Sequence, residues 1–320
     1  MSGKKVIAIV GATGAQGGGL AHAILSDPNS EFSVRAFTRD VSSEAAKALA
    51  KAGAEVISVD IDDEAAIAKG LEGAYGAFFV TFFWAHFNPN IELQQAEKMA
   101  KAAKASGVKH AIWSTLEDTR KSIPLSDNRM PTLQEKYKVV HFDAKADANH
   151  FFTDLGLPVT FLQTTFYWEN MIYFGMGPQR GEDGQLTLTF PMGNKRLSGI
   201  SADDIGQVAY AIFKGGEKYI DTTISIAGEH ITGVEMADAL SAAIGEKVIY
   251  NAISPNDYRA LGFPGADDLG NMFQFYSEFE EDFTGVRDIA EVKKMYPGLK
   301  NFKEWLAINI SKIPIAPAGK

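Results

Sequence analysis

A short apolar stretch near the start of the chain is followed by three glycines at the spacing of a phosphate-binding turn. Residues 6–10 read Val-Ile-Ala-Ile-Val, and Gly11, Gly14 and Gly17 come after them. Between a first strand and a first helix, such glycines allow a tight turn, close approach to a pyrophosphate and close helix–strand packing. The helix N-terminus adds partial positive charge. We therefore expect a dinucleotide site rather than an empty glycine-rich turn, with contacts from Gly11, Thr13, Gly14, Ala15, Gln16 and Gly17.

The residues after the second apolar run bear on which dinucleotide would bind. A carboxylate at this place hydrogen-bonds the ribose 2′-hydroxyl of NAD, whereas an arginine accommodates the 2′-phosphate of NADP. Here residues 32–37 are followed by Thr38, Arg39 and Asp40. A guanidinium holds a phosphate through paired, charge-assisted hydrogen bonds. We expect contacts from Thr38 and Arg39 and a preference for NADP(H) over NAD(H); if the strand ends a residue or two later, Asp40 is an NAD-type ribose contact.

Alternating apolar runs and helical patterns predict the sheet that positions these groups. Six runs rich in Val, Ile, Phe or Ala have the length of strands buried on both faces, at 6–10, 32–37, 55–59, 76–81, 110–114 and 159–164. Helical patterns such as 42–52 and 91–106 separate them, and Gly107 stands where a helix would end. This order predicts an α/β fold with a Rossmann-type, doubly wound parallel sheet.

The rest of the chain is less regular and predicts a smaller, interleaved C-terminal α/β domain. This part of the chain is predicted to contain a glycine-rich loop at 175–184 and a hairpin strand at 185–190. It is also predicted to contain helices at 201–213 and 232–244 and a seventh strand candidate at 222–227. No linker separates the halves. We expect a nucleotide-binding domain from residues 1–165 and 200–228, and a domain for a substrate or partner from 166–199 and 229–320.

Composition excludes several classes of function. None of the 320 residues is cysteine, which excludes a disulfide framework, a thiolate zinc site and a catalytic thiol. The formal net charge of -9 disfavours direct contact with nucleic acid. The six histidines show no metal-ligand spacing, so no metal is expected, and no Gly-x-Ser-x-Gly motif supports a hydrolase.

Localisation is predicted from the absence of two sequence signals. No run approaches 18 uncharged apolar residues, so no membrane-spanning helix is expected. The start Met-Ser-Gly-Lys-Lys leads at once into an apolar strand, without the pattern of a signal peptide. We therefore expect a cytoplasmic protein that makes no membrane contact.

Five short segments occur in an order that is typical of one family. They are Gly11-Ala-Thr-Gly-Ala-Gln-Gly17, Thr38-Arg-Asp40, Asp60-Ile61, Trp113-Ser-Thr-Leu-Glu117 and His141-Phe-Asp-Ala-Lys145. In this combination the sequence resembles the NmrA-like family, atypical members of the short-chain dehydrogenase/reductase superfamily. The resemblance implies a Rossmann domain, a small α/β domain and NADP(H) bound in a cleft between them. It also implies cofactor contacts from Asp60, Ile61 and Ser114, although a strand-end hydroxyl such as that of Ser114 can instead bond the backbone.

The segment 137–145 departs from the catalytic motif of working short-chain reductases. Those enzymes carry Tyr-x-x-x-Lys on a helix, where the tyrosine donates a proton and the lysine lowers the tyrosine pKa and holds the nicotinamide ribose. Here His141 stands four residues before Lys145. We expect Tyr137 on the same helical face but eight residues from Lys145, about 12 Å along the axis, which is too far for a direct partnership. We expect Lys145 to contact the ribose, the alternative being a solvated helix lysine.

Three roles for His141 are open on the sequence alone. It can be a substitute general acid, because imidazole titrates near neutrality. It can be a hydrogen-bonding group in the cleft of a nucleotide sensor that no longer turns over. It can also be an ordinary helix histidine packed on Phe142. The candidate catalytic residues are thus Lys145 and, in the first of these roles, His141.

Two aromatic clusters follow predicted strand ends, at 81–87 and 165–170. Open parallel sheets bind ligands beyond the carboxyl ends of their strands. In relatives of the resembled family the first segment borders the nicotinamide and the second closes over it. This implies cofactor contacts from Thr81, Phe82, Phe83, Tyr167 and Asn170. An open cleft would suit a flat aromatic molecule such as a quinone; alternatively, the aromatics, Phe82 and Trp168 among them, hold the two domains together.

Two functions fit these observations. The first is an NADP(H)-binding regulator that senses nucleotide or redox state and acts through a protein partner, as redox-responsive regulators of the resembled family do. His141 in the place of the tyrosine favours it. The second is an NADPH-dependent reductase of a quinone or small aromatic carbonyl. Isoflavone-reductase-like enzymes and quinone reductases are relatives of the family, and direct hydride transfer to a quinone depends less on a proton donor.

Overall fold

A computed structural model describes residues 3–316 of the chain. Within them the strands are β1 Lys5–Ile9, β2 Phe32–Thr38, β3 Glu55–Ser58, β4 Gly76–Phe79, β5 His110–Thr115, β6 Val159–Gln163, β7 Phe166–Tyr167, β8 Gln179–Arg180, β9 Leu186–Thr189, β10 Arg196–Ile200, β11 Thr222–Ser225, β12 Glu229–Thr232 and β13 Val248–Asn251. The expected elements are present, with ends that differ from expectation by at most two residues.

The α-helices of the same residues alternate with the first six strands and dominate the C-terminal third. They are α1 Ala15–Ser26, α2 Glu44–Lys51, α3 Glu64–Leu71, α4 Pro89–Ala105, α5 Val140–Asp154, α6 Asn170–Tyr173, α7 Ala202–Gly215, α8 Gly233–Ile244, α9 Pro255–Ala260, α10 Ala266–Glu278, α11 Glu280–Gly285, α12 Ile289–Met295 and α13 Phe302–Asn309. In residues 3–316 no helix combines the length and the apolar character needed to cross a bilayer.

A seven-stranded sheet carries the glycine turn at one of its strand ends. Its order is β11-β6-β5-β4-β1-β2-β3, and every neighbouring pair is parallel. All residues of β4 and β5 are buried, which explains their apolar composition. The expected Rossmann-type fold is confirmed, and the seventh strand candidate is the edge strand β11.

The chain forms two compact units that are interleaved in sequence. The first contains residues 3–118, 141–164 and 202–225, and therefore the whole seven-stranded sheet. The second contains 119–140, 165–201 and 226–316. The segment 119–140 groups with the second unit, whereas the expected boundaries assign it to the first.

The second unit is built on two small sheets. One has the order β12-β10-β7 and the other β13-β9-β8. The alternating run at 185–190 forms β9, which pairs antiparallel with β8, as expected of a hairpin. It also pairs in parallel with β13, a long-range partner that the local pattern did not predict.

Glycines bring α1 close to the sheet and to α7. A Cβ on Gly17 would lie 2.4 Å from the carbonyl oxygen of Gly11, and a Cβ on Gly206 would lie 2.1 Å from the backbone nitrogen of Leu20. These distances are far below van der Waals contact, so only glycine allows this approach. The first turn of α1 is thereby fixed against β1 and α7.

Replacing Gly206 tests this close approach. In an open helix interior, Gly→Ala would stabilise by about 1 kcal/mol, but here the added methyl must force α1 and α7 apart. We expect Gly206→Ala to lower the melting temperature by about 3 to 8 °C, measured by circular dichroism. Gly285→Ala is the matched control, because a Cβ there meets no atom within 4 Å. An unchanged melting temperature in Gly206→Ala would contradict the packing argument.

Burial of His110 predicts a pH dependence of stability. Its side chain is fully buried in β5, with Nε2 2.8 Å from Thr160 Oγ1, and burial lowers the pKa of His110 to about 4. In the unfolded chain a histidine pKa is about 6.5. Between these pH values the unfolded state binds more protons, so the free energy of unfolding falls as the pH is lowered.

The variant His110→Gln isolates this contribution from that of the carboxylates. Between pH 7 and 4.5 the wild type should lose about 2 to 3 kcal/mol more of its unfolding free energy than the variant. Urea denaturation at both pH values measures the difference. Parallel losses in the two proteins would show that His110 is not a buried neutral side chain.

Candidate functional site

At the glycine turn, no side chain offsets the positive charge at the N-terminus of α1 in the part of the chain that the structure describes. Gly11 has a φ of 66°, and the N–H of Gly14 donates to its carbonyl oxygen at 2.9 Å. Within the described chain no side chain caps α1 at Gly14, and no acidic residue stands in its first turn. Thr13 and Ala15 are exposed here. The positive end of the helix dipole is therefore available to an anion such as a pyrophosphate.

Ser114 joins this turn to the end of β5. Its hydroxyl donates to Gln16 Oε1 at 2.8 Å, and its side chain is buried. The expected alternative, a hydroxyl that bonds the backbone, is open to Thr115, whose Oγ1 lies 3.1 Å from the carbonyl oxygen of Lys145. The same Oγ1 lies 2.8 Å from Asn149 Oδ1, and its one proton can serve either acceptor, both of which belong to α5.

The two charged residues after β2, Arg39 and Asp40, differ in whether their side chains are already hydrogen-bonded within the protein. Asp40 accepts hydrogen bonds from the backbone N–H and the hydroxyl of Ser42, at 2.8 and 2.5 Å. The hydroxyl bond lowers the pKa of Asp40 most, followed by the backbone bond. Arg39 is exposed and forms no ion pair with another residue of the described chain. The guanidinium is thus available to a phosphate, whereas the carboxylate is engaged in the turn that leads to α2.

The other cofactor contacts expected near the edge of the sheet lie in the turn after β3. Asp60 is exposed, and its Oδ1 accepts from the backbone N–H of Asp62 at 2.9 Å. Ile61 is half-buried and packs against the core of the first unit. Their contact with a nucleotide stays a prediction.

Lys145 is held by a buried carboxylate that the sequence analysis missed. Its Nζ lies 2.6 Å from Glu92 Oε1 and donates to Thr81 Oγ1 at 2.6 Å, while the hydroxyl of Thr81 donates to the same Glu92 oxygen. Glu92 is fully buried in the first turn of α4, and the ammonium also lies over the ring of Trp113. Lys145 is therefore an ion-paired side chain rather than a solvated one.

The second oxygen of Glu92 faces His86. The Nδ1 atom of His86 accepts from the backbone N–H of Asn88 at 3.0 Å, so the neutral ring carries its proton on Nε2. This Nε2 lies 3.7 Å from Glu92 Oε2, and within residues 3–316 both atoms are buried without a hydrogen-bond partner. In the same part of the chain, no group of three or more histidines or carboxylates could hold a metal ion.

His141 lies among aromatic rings. The centroid of its ring is 4.8 Å from those of Trp84 and Phe142 and 5.9 Å from that of Phe83, and the residue is buried. These are the contacts of a packed helix histidine. Phe83 is buried in the same cluster, while the neighbouring Phe82 is exposed.

The expected helical relation between Tyr137 and Lys145 is wrong. Helix α5 begins at Val140, and Tyr137 forms an isolated antiparallel bridge with Leu133. The backbone N–H of Tyr137 donates to Leu133, so it takes part in a turn rather than in a helix. Tyr137 is buried in the second unit, and the guanidinium of Arg120 lies over its ring.

The second aromatic segment divides between strand, core and helix. Tyr167 is half-buried in β7, and Asn170 is the first residue of α6. Trp168 is fully buried and packs on Phe302 and Trp305, with centroids 5.6 and 6.0 Å away. These ring partners of Trp168 belong to the second unit, as Trp168 does. Cofactor contacts from Tyr167 and Asn170 stay predictions.

The second unit contains a cavity of about 230 Å³. Four aromatic rings line it, those of Phe174, Phe190, Tyr258 and Phe263, and no charged side chain does. Burial raises the pKa of Tyr258 to about 12, so this hydroxyl stays protonated at neutral pH.

Solved structures show that the fold of the chain is shared with NmrA and with a quinone reductase. NmrA, a negative transcriptional regulator solved in complex with NADP, has 23% sequence identity and a TM-score of 0.76, covering 95% of each chain. It has also been solved with NAD. An NADPH-dependent quinone oxidoreductase of Escherichia coli has 22% identity and a TM-score of 0.71, covering 95% of this chain and 99% of that one.

Sequence comparison identifies the family. An NmrA-like family domain-containing oxidoreductase of Cladobotryum, FrzB, is 29% identical over 287 residues, which cover 84% of this chain and 83% of that protein. The sequence model of the NmrA-like family matches residues 3–306. The resemblance expected from the five short segments is confirmed, and the chain belongs to the NmrA-like family.

Proposed function

We propose that this protein binds NADP(H) and acts as a nucleotide-sensing regulator through a protein partner. The observation that carries the regulatory part is the ion pair between Lys145 and the buried Glu92. Lys145 stands in the position of the lysine that reductases of this superfamily use to lower the pKa of the proton-donating tyrosine. The nucleotide-binding part is supported by the glycine turn and by Arg39.

Binding of the dinucleotide is supported by the geometry of the first unit. The bare N-terminus of α1 would accept the pyrophosphate, since its first-turn N–H groups and dipole favour an anion. Arg39 is exposed and would hold the 2′-phosphate, while Asp40 is engaged with Ser42. NmrA, which shares the fold, has been solved with NADP and with NAD. When bound, the nicotinamide ring would give or accept a hydride.

Regulation is favoured over turnover by the charges around Lys145. A catalytic lysine lowers the pKa of a neighbouring proton donor because its positive charge stabilises the deprotonated form. Here the carboxylate of Glu92 lies 2.6 Å from the ammonium, so the net charge of the pair is zero and its field is largely cancelled. The residue in the tyrosine position, His141, packs among aromatic rings.

Action through a protein partner is favoured by the charge of the chain. A net charge of -9 opposes direct binding to the phosphates of nucleic acid. The structural neighbour NmrA is named a negative transcriptional regulator. A regulator with this charge would reach its target through another protein, whose affinity depends on the bound nucleotide.

A second candidate function is an NADPH-dependent reductase of a quinone or small aromatic carbonyl. The oxidoreductase FrzB and the quinone oxidoreductase of Escherichia coli favour it by their names. The cavity in the second unit also favours it, since its aromatic walls would suit such a substrate. In this case Lys145 would hold the nicotinamide ribose, and His141 would be the proton donor.

An oxidation assay separates the two functions. We expect NADPH to quench tryptophan fluorescence on binding, with no steady loss of NADPH absorbance in the presence of naphthoquinones or aryl aldehydes. The physical reason is the proposal itself: the charge of Lys145 is offset by that of Glu92, and His141 stands where a reductase has its tyrosine. Steady NADPH oxidation in the wild type that is lost in Lys145→Met would contradict the regulatory proposal and support the reductase.

Charge reversal at Arg39 tests the cofactor preference. Arg39→Asp should weaken NADP binding about 30-fold or more, because charge-assisted hydrogen bonds are lost and a repulsion is added. NAD binding should change less than about threefold, since NAD lacks the 2′-phosphate. Calorimetric titration with both dinucleotides measures the two affinities. Lys51→Asp, the same change of charge on α2, is the control. Equal losses for NADP and NAD in Arg39→Asp would contradict the assignment.

A further inference from the structure

Glu92 is an unusual residue because its ionisable group is completely inside the protein. It lies in the first turn of α4 with a relative exposure of 0%. A carboxylate in such a position is costly unless it is paired and hydrogen-bonded. The N-terminus of α4 favours a negative charge there, and Lys145 supplies the opposite charge at 2.6 Å. The carboxylate makes a contact with the ammonium of Lys145 that an apolar residue could not make.

The donors and acceptors around Lys145 can be assigned unambiguously. The hydroxyl of Thr81 has one proton, which it donates to Glu92 Oε1, so it accepts from Lys145 Nζ at 2.6 Å. Glu92 Oε1 thus accepts from both neighbours. Of the three N–H groups of the ammonium, two are directed by Glu92 and Thr81. Within residues 3–316 the remaining hydrogen-bond acceptor beside the ammonium is the carbonyl oxygen of Thr81, at 3.4 Å, which is a weak contact.

The second oxygen of Glu92 faces His86. The proton-bearing Nε2 of His86 lies 3.7 Å from Oε2, and both atoms are buried. This distance is too long for a hydrogen bond, but a donor and an acceptor that face each other in a buried place attract each other. Glu92 therefore has hydrogen-bonding partners at Oε1 and a donor group facing Oε2.

We propose that Glu92 is a positioning residue for nucleotide binding. Together with Thr81 it directs two N–H groups of Lys145, so that the third remains for a hydroxyl of the nicotinamide ribose. This inference rests on the proposed binding of NADP(H) and adds Glu92, with His86 behind it, to the residues that determine nucleotide affinity. Glu92 itself need not touch the nucleotide, because it acts through Lys145.

A double-mutant cycle on NADPH affinity tests the proposal. Glu92→Gln keeps the size of the side chain and removes its charge; we expect NADPH to bind about 10-fold more weakly by calorimetry. The double variant Glu92→Gln/Lys145→Met leaves no unpaired charge at this place. It should bind within about twofold of the single variant Lys145→Met, because a residue that acts only through the lysine has no effect once the lysine is removed.

A control on the same helix separates this effect from a general loss of charge. Glu97→Gln removes a carboxylate of α4 that pairs with Lys101 at 2.7 Å on the surface. We expect its NADPH affinity to stay within about twofold of the wild type, as exposed ion pairs contribute little. Circular dichroism of each variant establishes that it is folded before the titration.

The outcomes distinguish this inference from the proposed function. If the wild type does not bind NADPH, the proposed function fails and the inference with it. If the wild type binds and Glu92→Gln binds equally well, or the double variant binds NADPH about 10-fold more weakly than Lys145→Met, only the inference fails. Should Glu92→Gln not fold, Thr81→Val tests the same orientation of the ammonium. An affinity loss of about 3- to 10-fold that disappears in the Lys145→Met background supports the proposal, and an unchanged affinity, or a loss that persists in that background, overturns it.

Discussion

The contact on which the arrangement depends is the approach of the start of α1 to the end of β1. It is possible only because the residues at the contact have no side chain: a Cβ on Gly17 would meet the carbonyl oxygen of Gly11 at 2.4 Å. The cap position before α1 is also a glycine, Gly14, so no side chain bonds the N–H groups of the first helical turn there. Glycines at this turn therefore allow the close packing and leave the helix end open to the anion that the proposal places there.

A second electrostatic arrangement lies at Lys145. Its ammonium is paired inside the protein with Glu92, and that pair supports a different chemistry from that of a lone lysine. A lone ammonium activates a proton donor, whereas a paired one retains its hydrogen bonds and loses most of its field. This contrast connects His141, which stands in the place of the tyrosine, to the proposed role: an ammonium paired with Glu92 can still donate hydrogen bonds to a nucleotide, as the proposal requires, but its field on a proton donor is weaker.

Much of the first unit could be predicted from the sequence, because its signals are local. The strands are short apolar runs, and the order of Gly11, Gly14 and Gly17 follows from backbone geometry that the sequence displays directly. Glu92 could not be found in this way, since a glutamate in a first helical turn is ordinarily a solvated residue that favours the helix dipole. Its burial depends on Lys145, 53 residues later in the chain. The helical position expected for Tyr137 is wrong because residue spacing alone does not show that α5 begins only at Val140.

The most direct test of the central claim is a crystal structure grown with saturating NADP. The account predicts the pyrophosphate within hydrogen-bond distance of the backbone N–H groups in the first turn of α1, and the 2′-phosphate beside Arg39. A nucleotide bound with its phosphates elsewhere would contradict the claim. So would crystals that hold no nucleotide together with a melting temperature that NADP does not raise.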